Sequence, residues 1–426
     1  MKNKIVTVSI IGLGGRGGEA YGRYIVELKD KFKITHICDI NPVRLNKYGD
    51  LFGVEEANRF DEEDKFFEKK WSDVLFITTQ DRMHVRMAKK ALLLGYDIVL
   101  EKPISDDPEE LRELAALARE TGRMIMVCHV LRYTAAIRKL KEILNSGAIG
   151  QLVSIDQTEN VVFWHEAHSY VRGNWRNRAM STPMIMAKCC HDLDLLQDFI
   201  GSKCRSVASM GSLAYFKACN QPKDAADRCV NCKYIDSCPY SAKKVYIDMW
   251  KSVGRPANLF PFSLVTDVYP TTEAALQQAI EEGPYGRCVF ACDNDVVDNQ
   301  TVIMQFENGV TATLKMEAFV KDGGRDIRFF GTEGELVLCE ANGTITLKKY
   351  FGENTTWKLT DLTDDLEGHG GGDHRMIDQL YEVMVNNCDT VDTCIDNSIE
   401  SHYMALAAEE SRLNGGQLIL IEKYRS

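Results

Sequence analysis

Apolar and polar positions change their period along this chain, and the changes order it before any single residue is considered. Residues 5–11 are a β-branched run that ends in glycines, residues 20–28 carry helical spacing, and residues 34–38 form a second apolar run closed by Asp39. The alternation continues with strands at 74–78, 96–100 and 124–127 and helices at 85–94 and 108–121. Strand, helix, strand repeated in this way predicts an α/β, doubly wound parallel sheet over residues 1–130. Such a sheet gathers its strand carboxyl ends along one edge, where ligand and chemistry belong.

Beyond residue 130 the period is different. A helix at 135–146, a strand at 152–158 and a loop-rich stretch lead to a helix expected over 184–200. Residues 202–296 are the least regular and carry a cluster of cysteines. From residue 298 the pattern is antiparallel: strands at 300–306, 310–316, 326–330, 335–339 and 344–350, with turns at Asn308-Gly309, Thr332-Glu333-Gly334 and Asn342-Gly343. The expectation is a second domain, residues 131–426, of α+β class with an open, mainly antiparallel sheet covered by helices on one side. A glycine cluster around His369 precedes a last expected helix at 375–387.

With 426 residues, 45% hydrophobic and 27% charged, the chain has the make-up of a globular protein of two or three domains. Its formal charge, 51 − 62 = −11, argues against nucleic acid and anionic membrane surfaces as partners and favours a small ligand. No uncharged stretch reaches eighteen residues and no export signal precedes the first strand, so a cytoplasmic location is expected. Several of the fourteen cysteines lie in apolar periodic segments (Cys38, Cys128, Cys189, Cys190) and read as reduced, buried thiols.

Gly12-Leu13-Gly14-Gly15-Arg16-Gly17 fits G-x-G-x-x-G between a strand and a helix, the context that gives this motif its meaning. The glycines permit a tight turn and close approach of backbone to a pyrophosphate, and the helix start offers free N–H groups. Asp39 ends the second strand, 22 residues after Gly17, where its carboxylate can accept from both ribose hydroxyls and repel a 2′-phosphate. A Rossmann domain that prefers NAD is therefore expected. Arg44 is positioned to neutralise a phosphate, so NADP stays open.

Glu101-Lys102-Pro103 follows the strand at 96–100, at the nicotinamide edge, where a lysine can bind a substrate hydroxyl and exchange its proton. On the helix expected at 184–200, a spacing of three sets Lys188, His191 and Asp194 along one side, so that His191 can exchange protons while Asp194 orients its ring.

Taken together, the glycine fingerprint, Thr79 with His84 five residues on, Glu101-Lys102-Pro103, His191 with Asp194, and Gly331-Thr332-Glu333-Gly334 resemble the Gfo/Idh/MocA family over nearly the whole chain. The resemblance implies an NAD(P)-dependent dehydrogenase acting on a hydroxyl or keto carbon of a sugar or cyclitol, with Lys102 and His191 catalytic. It also implies that Thr79, His84 and Glu101 lie beside the cofactor, and that the C-terminal sheet forms a homodimer or homotetramer interface. Two departures stand out. Ala187 occupies the position four residues before the histidine where the family often has Asp, and Thr79-Gln80-Asp81 replaces the usual Thr-Pro-Asn. Lys188 is then a candidate for the vacated catalytic role, with Lys102 the first choice as base.

In the loop before that helix, His168, Arg172, Trp175 and Arg176 combine polar forks with a flat aromatic face, as hydroxyl-rich ligands require. Cys229, Cys232 and Cys238, with Cys219 as a fourth, have spacing that fits a structural zinc, an Fe–S cluster or plain packing thiols. Two other functions remain open: a redox-neutral NAD-dependent glycosidase working by transient oxidation and elimination, and a non-catalytic NAD-binding regulator.

Overall fold

The computed structural model describes residues 4–363, 365, 367–386 and 391–426. Its first sheet is built from β1 (Val6–Ile11), β2 (Phe32–Cys38), β3 (Arg59–Phe60), β4 (Val74–Ile77), β5 (Asp97–Leu100) and β6 (Ile125–Val127). The order is β3-β2-β1-β4-β5-β6 and each pairing is parallel. The order reverses between β1 and β4, which opens a crevice beyond their carboxyl ends. Apolar residues on both faces, such as Val74, Leu75, Phe76 and Ile77, are fully buried because helices cover both sides. Those helices begin and end where local chemistry dictates. Asn41 caps Pro42–Phe52 through the amides of Val43 and Arg44, and Gly53 stops it at φ +66°.

The second sheet contains β7 (Leu152–Val162), β8 (Cys204–Ser212), β9 (Asn299–Phe306), β10 (Thr311–Val320), β11 (Gly324–Gly331), β12 (Gly334–Cys339), β13 (Thr344–Lys349), β14 (Thr355–Lys358) and β15 (Ile419–Leu420). Its order is β14-β13-β12-β11-β7-β10-β9-β8-β15, and pairing is antiparallel except between β7 and β10. The helices Cys190–Ile200 and Ile395–Leu413 lie on one side. On the other, Ile303, Met210 and Leu420 are exposed.

Three departures from the sequence reading bear on the site. The strand expected at 152–158 runs on to Val162 and carries Glu159 into the interior. β8 forms inside the stretch read as irregular, since Ser206, Ser209 and Ser212 dilute its apolar alternation. The helix expected over 184–200 is two helices, Met184–Ala187 and Cys190–Ile200, with Lys188 and Cys189 between them.

The helix Glu367–Asn386 returns to the first sheet: Met376, Ile377 and Leu380 are wholly buried in one core with Val6, Val8 and Ile10. The last expected helical residue, Asn387, lies outside the described residues. The insertion between β8 and β9 has its own cores, one around Tyr246, Trp250 and Phe262 and another around Phe216, Tyr240 and Phe290.

Candidate active site

The glycine turn sits at the mouth of the crevice. Gly12 has φ +92°, and a Cβ there would stand 2.7 Å from the carbonyl of Thr78. A Cβ on Gly17 would meet Gly12 O at 2.1 Å, so both glycines are required by packing of the turn against β4. Gly14 differs, for a Cβ there would meet nothing within 4 Å. That open cradle, lined by Leu13, Gly14 and Gly15, fits the pyrophosphate of a dinucleotide. Asp39 accepts from Leu13 N at 2.6 Å and from Asn41 N at 2.8 Å, which holds its carboxylate at the end of β2 beside the turn.

A strap from the insertion crosses this groove. Asn258 donates to Glu19, Asp267 pairs with Arg44 at 3.0 Å and accepts from Asn41 at 3.2 Å, and Leu264 packs over Gly15. Arg44 therefore spends its charge on Asp267. His168 and Trp175 line the same groove; the His168 ring stacks on Tyr285 with centroids 4.7 Å apart.

Several expected cofactor contacts have other partners. Arg16 pairs with Glu101 at 2.8 Å and with Asp373 at 2.6 Å, and lies over the Tyr21 ring. It clamps the turn to β5 and to the helix Glu367–Asn386 instead of reaching a phosphate. Asp373 is nearly buried, which opposes ionisation, yet the charges of Arg16 and His369 hold its carboxyl well below the usual range. His84 is buried, with its ring nitrogens 2.7 Å from Pro103 O and 3.1 Å from Thr79 O. It fixes the two loops against each other, while the Thr79 hydroxyl turns to Met87 Sδ.

Lys102 leaves the end of β5 and donates from Nζ to Ala187 O at 3.0 Å, the carbonyl left free where the short helix Met184–Ala187 stops. Just beyond the break, Lys188 pairs with Glu159 at 2.9 Å. Arg325 joins Glu159 at 2.8 Å to Asp192 at 2.7 Å. Burial opposes charge on both acids, but Arg325 and Lys188 keep Glu159 ionised, whereas Asp192 is pushed up to about 6.

His191 faces His129 and His369, with centroids 5.8 and 6.3 Å away, and its Nδ1 is buried without a partner among the described residues. Burial, aided by the charge of Lys102, lowers its pKa well below the ordinary value and keeps the ring neutral. His165 is held neutral by burial and by Lys188. Asp194 does not orient His191. Arg132, from the segment Val130–Tyr133, grips its carboxylate with two hydrogen bonds of 2.6 Å.

Two proposed substrate ligands are structural. Arg172 is completely buried and donates to Arg287 O and Tyr240 O, and Arg176 pairs with Asp293 at 2.7 Å. The expected zinc is also not supported: among the described residues no three His, Cys, Asp or Glu side chains form a group that could hold a metal ion, and Cys219 is exposed. Sequence reading missed Glu159, Arg325, His129 and Asp373, whose partners are far away in the chain. No helix among the described residues is long and apolar enough to cross a membrane.

The sequence model of the oxidoreductase family with an NAD-binding Rossmann fold matches residues 6–129, and that family's C-terminal α/β domain matches residues 141–416. A putative oxidoreductase, YteT, of Bacillus subtilis is 23% identical over 86% of this chain and 87% of its own length. D-xylose dehydrogenase of Paenarthrobacter nicotinovorans is 28% identical over 48% of this chain and 56% of its own length. Among solved structures, scyllo-inositol dehydrogenase of Lactobacillus casei with NAD(H) and scyllo-inositol has the same fold at 17% identity, with a TM-score of 0.66 over 98% of this chain and all of the other.

Proposed function

Because the chain belongs to the Gfo/Idh/MocA family of NAD(P)-dependent oxidoreductases, we propose that it oxidises, or in reverse forms, a secondary hydroxyl of a sugar or cyclitol with NAD. The observation that carries this reading is that, at the carboxyl edge of the parallel sheet, the buried ring of His191 is kept neutral by burial and by the nearby charge of Lys102, with its Nδ1 unpartnered among the described residues. NAD, when bound, supplies the hydride acceptor.

Gly14 and Gly15 hold the pyrophosphate, Asp39 the ribose, and the Arg44–Asp267 pair disfavours a 2′-phosphate. Lys102 keeps N–H donors beyond the one given to Ala187 and uses them on the reacting oxygen, where an ammonium stabilises developing negative charge. The proton acceptor must be an unprotonated group, and buried, neutral His191 meets that condition, so the base moves from Lys102 to His191. Lys188, fixed by Glu159, holds a second substrate hydroxyl. Ile303, Met210 and Leu420 on the open face of the second sheet support assembly of copies through that face.

The test is to mix the protein with NAD and a panel of sugars and cyclitols and to follow NADH. The strap favours a second reading, in which a covered dinucleotide stays bound and is reduced and reoxidised within one turnover. Product release without accumulation of NADH would select that reading.

A further inference from the structure

A second cavity, of about 40 Å³, lies within the insertion and takes no part in the chemistry above. Cys229, Cys232, Cys238 and Cys288 all line it, in otherwise mainly apolar walls, and so does Arg172. Arg172 is the decisive neighbour. It is 0% exposed, Nη2 lies 3.6 Å from Cys229 Sγ, and Nη1 has no hydrogen-bond partner among the described residues. Among the described residues no carboxylate pairs with it; its partners are the neutral carbonyls of Arg287 and Tyr240, with Cys229 Sγ beside it. A buried cation without a counter-charge is costly, so this arrangement is built to face an anion.

Metal-bound thiolates supply one, and the cavity distinguishes between kinds of metal. A single zinc draws four sulfurs to within about 2.3 Å of one point and leaves no space between them. Here the four cysteines line one space, and among the described residues no three side chains form a group that could hold a single ion. An Fe–S cubane brings its own sulfide and takes one cysteine at each iron, so its ligands surround a volume instead of meeting at a point. The spacing agrees: Cys229-x-x-Cys232, then Cys238 followed by Pro239, with the fourth ligand, Cys288, distant in sequence.

We propose that Cys229, Cys232, Cys238 and Cys288 bind a [4Fe–4S] cluster, with Arg172 donating to its sulfurs. The cluster ties the two ends of the insertion together beside the strap over the dinucleotide groove; no electron transfer through it is invoked.

The test uses the full chain, produced without oxygen and then reconstituted with ferric iron, a dithiol reductant and sulfide. About four iron and four acid-labile sulfide per chain are expected, with broad visible absorption that bleaches on reduction by dithionite. Cys288→Ser and Cys232→Ser should lose at least half of the iron, whereas Cys219→Ser, exposed and outside the cavity, should keep it. If a cysteine variant fails to fold, the iron and sulfide content of the unmodified chain decides alone. A folded, NAD-binding protein that takes up no iron, or that holds one zinc instead, overturns the proposal, as does loss of iron in Cys219→Ser with retention in Cys288→Ser.

Discussion

Lys102 Nζ reaches across the crevice to the carbonyl of Ala187 at 3.0 Å, while the next residue in the chain, Lys188, turns away to Glu159 at 2.9 Å. Two cations that the sequence places at one site are thus anchored by different partners, and on the function proposed above they have different tasks. Lys188→Met should raise KM about tenfold or more while leaving kcat within a few-fold, the pattern of lost substrate binding. Glu159→Gln should move KM in the same direction. A fall in kcat of a hundredfold with unchanged KM in Lys188→Met would make Lys188 part of the proton relay.

The pairing of Arg44 with Asp267 leads to a prediction about cofactor preference. NAD should bind more tightly than NADP, and Asp267→Ala, by freeing the guanidinium, should improve NADP binding with little change for NAD. Titration of both nucleotides checks this, and tighter binding of NADP by the unmodified chain would contradict it.

Acid should destabilise the fold. Burial, with nearby cations or histidines, keeps His129, His165 and His191 neutral well below the ordinary pKa of 6.5, and lowers His168 and His402 to about 3. The unfolded chain protonates these rings near 6.5, so below that pH it binds more protons than the native state and stability falls. Asp106, Glu166, Asp192, Asp194 and Glu340, raised by burial, act in the opposite sense as the native state retains their protons, but carboxyl groups ordinarily titrate near 4, so between pH 7 and pH 5.5 the rings, protonated near 6.5 in the unfolded chain, set the sign. The melting temperature should be lower by roughly 5 °C or more at pH 5.5 than at pH 7. An unchanged or higher value at pH 5.5 would mean that these rings are not held neutral.

The open face of the second sheet should be an interface between copies. Ile303, 58% exposed at the middle of β9, is its test position. Ile303→Glu should reduce the oligomer seen by light scattering to a smaller species without loss of helix or strand signal; a monomeric unmodified chain would contradict the assembly.

What the sequence revealed was local. The glycine turn, Asp39 and Lys102 were legible because each sits at a fixed offset from a strand whose period is plain. The Arg16–Asp373 clamp joins residues 357 positions apart, and Arg325 reaches Glu159 and Asp192 from another strand, so no spacing announces either. The break at Lys188 was hidden because Met186-Ala187-Lys188-Cys189-Cys190 carries neither Gly nor Pro. Tertiary demands interrupt the helix there, and with it the expected alignment of Lys188 with His191 and Asp194.

The most direct test compares the unmodified chain with Lys102→Met and His191→Asn, measuring NADH formation with NAD and a polyol substrate, and NAD affinity separately. Both variants should bind NAD normally and lose turnover by roughly 10²–10⁴, the range for a positioned acid–base or charge-stabilising group. Near-normal turnover in either variant, with NAD still bound, would contradict the assignment of hydroxyl activation to this pair.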